Sequence, residues 1–260
     1  METRWSAGLG VSALGGVASV ALVLAIFVTT FETQIQTEIS RGAPTEALLA
    51  SYVLPAVAAI GLLGGILWLV AAYGFAAHRQ WAYASAVGGS VLCVLGGFFP
   101  ILPWVSSGLG FPPTSVIFAL NVVLFLTLQA RVIPAARPVL LFSLLAGIAY
   151  VVAFINGVAS THYILTAGGV YFVLLEPVNF AASAIWAAAA IAIVLRKWWA
   201  EPAILVGGTA SVLGGVPIAL LTQTELGRPS LFWPSPLLSL ALLVAILLTS
   251  QGRSAVRPGQ

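Results

Sequence analysis

The residue in this chain best suited to chemistry is a carboxylate inside an apolar segment, Glu176 in Leu174-Leu175-Glu176-Pro177-Val178-Asn179. Ionisable groups within a membrane span are costly to bury and are usually functional. Pro177 has no N–H, so the carbonyl of Val173 loses its helical partner. Asn179 follows Glu176 by three residues and shares its helix face. Carboxylate, amide and freed carbonyl together suit a proton, a small cation or an amine. A second, purely structural role also fits. Glu176 lies 19 residues before Leu195, about 28 Å along a helix, which places it near the outer edge of the hydrocarbon, either hydrated or paired with Arg228.

The rest of the chain offers little reactive chemistry. It has no Asp, one Lys (Lys197), two His and one Cys, Cys93. A single cysteine excludes an internal disulfide and a cysteine-built metal site. His78 and His162 fall at opposite ends of predicted helices, His162 in an outer loop, so they do not form a haem-ligand pair across the ~30 Å core. Lys197 is juxtamembrane and leaves no deep Schiff-base lysine. Hydrolase, zinc-protease, diphosphate and phosphate-loop motifs are absent, so no catalytic residue, metal or cofactor is expected, and a membrane-embedded enzyme is left as the minor alternative.

These residues are carried on an unusually apolar chain. Of 260 residues, 60% are hydrophobic and 7% charged, against about a quarter charged in a soluble domain. The apolar runs are 8–31, 47–77, 82–104, 114–130, 138–158, 165–195, 202–222 and 235–250, and a span needs about 20 such residues. The predicted fold is therefore all-α: a polytopic membrane protein of about eight transmembrane helices, with seven as the rival count. The first run is too long for a cleaved signal and is read as a retained helix. With eight helices, Arg4, Arg79, Arg131, Arg137, Arg196, Lys197, Arg253 and Arg257 share one side, and only Arg41 and Arg228 lie on the other. Basic loops stay inside, so both termini are predicted to be cytoplasmic. The net charge of +3 is dispersed, which argues against nucleic acid as a partner.

The chain also repeats itself. Val87-Gly88-Gly89 and Val94-Leu95-Gly96-Gly97 match Val206-Gly207-Gly208 and Val212-Leu213-Gly214-Gly215. Pro55 pairs with Pro177, Arg79-Gln80-Trp81 with Lys197-Trp198-Trp199, and Gln129-Ala130-Arg131 with Gln251-Gly252-Arg253. Offsets of 117–122 residues predict two four-helix repeats, 1–138 and 139–260. An even helix number in each makes them parallel, about an axis along the membrane normal. In this register the counterpart of Glu176 is Leu54, so the carboxylate marks a difference between the halves.

Small residues recur every four positions: Gly61 and Gly65 in the second helix, Gly89, Cys93 and Gly97 in the third, and Gly207, Ser211 and Gly215 in the seventh. Such seams let helix backbones approach closely. They predict that the third and seventh helices meet each other or a neighbour there. Cys93, matched by Ser211, is read as a packing residue. Asn121, Asn156 and Asn179, the only asparagines, are expected to form interhelical hydrogen bonds.

Two functions fit these features. The first is a small-solute or ion/proton transporter or channel, with a path between the halves and Glu176 and Asn179 as binding residues. The second is a non-catalytic accessory or scaffold subunit of a larger membrane complex. The expected partners are the lipid bilayer and either other membrane subunits or further copies of the chain.

Overall fold

The structure is a computed structural model that describes residues 2–132, 137–167, 170–227 and 229–256. Described residues form ten helices and no strand: α1 (Glu2–Ser40), α2 (Pro44–Ala76), α3 (Ala82–Phe98), α4 (Ile101–Ser106), α5 (Ser115–Arg131), α6 (Arg137–Ala167), α7 (Val170–Val194), α8 (Ala200–Leu226), α9 (Pro234–Leu248) and α10 (Ser250–Val256). Among the described residues six segments are long and apolar enough to cross a membrane: α1, α2, α3 with α4, α6, α7 and α8. They become seven if α9 and α10, bent by 95°, count as one span. The chain is thus a multi-pass integral membrane protein. α5 has 17 residues, about 26 Å of helix, just under the hydrocarbon thickness.

Each expected apolar run falls mainly on helix, although the third crosses the turn at Phe99 and Pro100 and the eighth passes the break at Thr249. The sixth run is shared by two helices, because its residues 165–167 belong to α6 and α7 starts at Val170. His162, expected in a loop, lies inside α6. The polar run Ser160–Tyr163 continues the helix because its side chains find partners: Ser160 Oγ donates back to Asn156 O of the same helix, and Tyr163 OH donates across to Glu225 Oε2 of α8.

The chain divides into two compact units, Met1–Ala135 and Ala136–Gln260. In the first, α1 packs on α2, α2 on α3 and α3 on α5, and α5 returns to α1. Trp68 of α2, fully buried, is the hub of this ring. A Cβ added at Gly15 of α1 or Gly89 of α3 would stand 2.9 or 3.2 Å from its indole. Its Nε1 donates to Asn121 Oδ1 of α5 at 3.2 Å. One side chain therefore touches all three other helices of the ring. In the second unit the same ring runs α6, α7, α8, α9 and back to α6. There the fully buried Trp186 of α7 donates to Ser211 Oγ of α8 at 3.0 Å. Where lipid removes the hydrophobic drive for helix association, such close packing and interhelical hydrogen bonds hold the bundle.

Two turns are built alike. Between α2 and α3, His78 takes φ 54°, Arg79 N donates to Gly74 O and Ala82 N to Arg79 O. Between α7 and α8, Arg196 takes φ 53°, Lys197 N donates to Ala192 O and Ala200 N to Lys197 O. These are helix endings of Schellman type, with a non-glycine residue in the left-handed region.

Candidate functional site

The buried face of α7 carries Glu176, Asn179, Ser183 and Trp186, spaced three, four and three residues apart, which makes one stripe along the helix. Each reaches a neighbour. Thr161 Oγ1 of α6 donates to Glu176 Oε1. Asn179 Nδ2 donates to Ser160 Oγ at 3.3 Å and to Gly214 O of α8 at 3.2 Å. Ser183 Oγ donates to Tyr150 O at 3.0 Å, and Trp186 closes the series on Ser211.

Glu176 is half-buried and Asn179 fully buried. Asn179 Oδ1 has no hydrogen-bond partner. An orphaned amide oxygen in a dry interior is costly and asks for an explanation. The stripe therefore presents two acceptors one turn apart, a carboxylate and a carbonyl oxygen, a set that suits a hydrogen-bond donor. Pro177 and Val173 lie on the exposed face of α7, so the backbone freed by the proline opens away from Asn179. Arg228, the cation considered for Glu176, lies outside the described residues. Glu176 is six residues into α7, about 9 Å from its first described turn.

The small-residue positions all sit at helix crossings. Gly61 of α2 faces Gly96 of α3 so closely that a Cβ on Gly96 would stand 2.7 Å from the Gly61 Cα. Gly65 meets Val20 of α1, and Gly89 meets Trp68. Cys93 is buried, with Sγ 3.4 Å from Gly61 O. Gly97 abuts the backbone of Phe118 in α5. In the second unit Gly207 lies against Ile185 and Trp186 of α7, and Gly215 lies between Asn156 of α6 and Pro236 of α9. α3 and α8 thus meet other helices of their own unit through these faces.

Asn121 also exchanges hydrogen bonds with Ser19 of α1, its Nδ2 donating at 3.0 Å, and Asn156 Nδ2 donates to Phe232 O at 3.4 Å. Among the described residues no group of three or more His, Cys, Asp or Glu is placed to hold a metal.

The sequence reading missed a polar cluster at the α1–α2 end of the first unit. Gln34 Nε2 of α1 donates to Glu38 Oε1 at 3.0 Å and to Pro103 O of α4 at 3.2 Å, and it lies 2.6 Å from Ser107 Oγ. Ser107 Oγ also donates to Glu38 Oε1. Gln34 and Glu38 are 2% and 7% exposed. Their i, i+4 spacing puts both on one face of α1, but only the fold brings Ser107 to that face. No protein-family model, curated protein or solved structure matches the chain.

Proposed function

We propose that this multi-pass protein is a small-solute or ion/proton transporter or channel, with Glu176 and Asn179 as its binding residues. The observation that carries the reading is the wholly buried Asn179, whose Oδ1 is unpartnered one turn from a carboxylate. A structural amide would spend both ends of its side chain on neighbours, whereas a transient donor in the pathway gives the free end a use.

The proposal includes eight spans in two parallel repeats, 1–138 and 139–260, with α5 and α9 as the short fourth member of each. Support comes from a register of 118 residues in matching contacts. Trp68 and Trp186, Gly89 and Gly207, Cys93 and Ser211, the Gly61–Gly96 and Asn179–Gly214 crossings, and the left-handed His78 and Arg196 all keep it. This register sets Glu176 against Ala58 rather than Leu54, and the whole stripe against Ala58, Gly61, Gly65 and Trp68. The polar path then belongs to the second repeat alone. Both termini are assigned to the cytoplasm because Arg4, Arg79 and Arg131 gather at one end of the first repeat, opposite Arg41, and Arg137, Arg196, Lys197 and Arg253 gather at one end of the second, and basic loops stay inside.

The test is flux in proteoliposomes, with an entrapped pH dye for protons and separate sodium and potassium gradients. Glu176→Gln and Asn179→Leu are expected to lower the flux of the transported species while the protein stays folded and inserted. Equal flux in wild type and both variants would remove the assignment.

One observation favours the accessory-subunit reading. The outward face of α7 exposes the small residues Ala181 and Ala184 beside Pro177, the residue class used where membrane helices associate. A tagged native copy that purifies in mild detergent without any other polypeptide would count against it.

A further inference from the structure

A partly open cavity of about 40 Å³ lies in the first unit between α1, α2, the α3–α4 bend and the start of α5. Its wall is largely apolar and aromatic, with Phe27, Phe31 and Trp104, but Gln34 and Thr114 also line it. Each of these two is more than nine-tenths buried. Each also carries a polar atom without a partner, Gln34 Oε1 and Thr114 Oγ1. The orientation of the Gln34 amide is fixed by chemistry, because Pro103 O and Glu38 Oε1 accept only, so the nitrogen must face them. The carbonyl oxygen is left as the free end.

Glu38 gives that oxygen unusual strength. Its carboxylate is buried and accepts from Gln34 Nε2. A negative charge on one end of an amide polarises the other end, and buried hydrogen bonds in series reinforce one another. No Lys or Arg lines the cavity. Aromatic side chains, a polarised carbonyl oxygen, a hydroxyl and a carboxylate behind them are the surroundings that attract a small ammonium-type cation. Room for about three water-sized bodies limits the ligand to a few heavy atoms.

We infer that this cavity is a binding site for ammonium or an equally small amine cation, held by Gln34 Oε1 and Thr114 Oγ1 with Glu38 supplying the countercharge. The site lies outside the α7 stripe and does not depend on the transport reading, since its test is equilibrium binding rather than flux.

The full chain in lipid nanodiscs is heated in ammonium chloride or potassium chloride at equal ionic strength, and the unfolding midpoint is followed. A ligand that binds only the folded state raises that midpoint with concentration. Potassium is close to ammonium in size and charge but has no N–H to donate, so it serves as the control. Ammonium is expected to raise the midpoint beyond potassium. Glu38→Gln should raise the half-saturating ammonium concentration by about tenfold, the worth of one charge-assisted interaction. Ala58→Leu, which fills the cavity from α2 without touching the Gln34 cluster, should abolish the difference between the salts. If Gln34→Leu folds, it should do the same. Equal responses to the two salts would mean that no N–H donor is recognised in the cavity and would overturn the inference. So would an ammonium response that survives Ala58→Leu.

Discussion

Replacing Gly97 by alanine tests how the first unit is held together. The added methyl would stand 2.4 Å from the amide nitrogen of Phe118, 2.8 Å from its Cα and 3.0 Å from the carbonyl carbon of Ile117. All three are backbone atoms of α5, so no side chain can rotate aside. Ordinary contact begins at 3.4 Å, and α5 must therefore retreat from α3 by about 1 Å. A gap of that size forfeits roughly a quarter to a half of the dispersion attraction along the crossing. Overpacking of this kind costs about 1–3 kcal/mol. The rigidity of the neighbour puts Gly97→Ala at the upper end, and alanine returns up to ~1 kcal/mol in helix propensity. The expected net loss is about 2 kcal/mol. Gly10→Ala in α1 and Gly147→Ala in α6 are the controls, because nothing lies within 4 Å of the new methyl at either site. They should be neutral or stabilising by up to ~1 kcal/mol. The assay is equilibrium unfolding in mixed micelles by increasing SDS fraction, read by tryptophan fluorescence. A Gly97→Ala protein as stable as wild type, or controls that lose as much, would refute the packing argument.

Two further outcomes follow from the same interior. Asn121→Leu removes the partner of both Trp68 Nε1 and Ser19. It should cost about 1–2 kcal/mol in the same unfolding assay, above the ~0.6 kcal/mol of an average interhelical hydrogen bond in a membrane. Cys93 is fully buried at the α2–α3 crossing and should resist maleimide in the folded protein, becoming labelled only once SDS opens the bundle. Rapid labelling in mild detergent would contradict that burial.

Helix identity was legible in this sequence wherever an apolar run was long, because a backbone in hydrocarbon has no alternative to the helix. The ends were not. α1 continues from Phe31 to Ser40 through a polar stretch in which Thr37 and Ser40 donate back to Thr33 O and Thr37 O, and hydropathy reads such residues as loop. The pairing of Glu176 with Asn179 on one face was readable from their spacing. Their partners Thr161 and Ser160 were not, since both sat in a segment taken as the turn between two helices. Gln34 and Thr114 carried no local signal at all. Their significance arises only when α1, α4 and the start of α5 close around the same space.

The unequal lengths of the helical hairpins have a practical consequence. α1 and α2 have 39 and 33 residues, and α6 and α7 have 31 and 25. Each arm of the first hairpin is thus longer by eight residues, about 12 Å. The nine residues Glu32–Ser40 of α1 lie beyond its apolar run and add about 13 Å of helix, braced on one side by α4 through Gln34 and on the other by α2. Arg41, bonded to Ser106 O at 3.0 Å, pins the tip. A protein of 26.9 kDa with most of its mass in lipid offers imaging methods very little to align on. This end of the hairpin, tied to α4 by those contacts, is the natural epitope for an antibody fragment, because a binder fixed there would report the orientation of the whole first bundle.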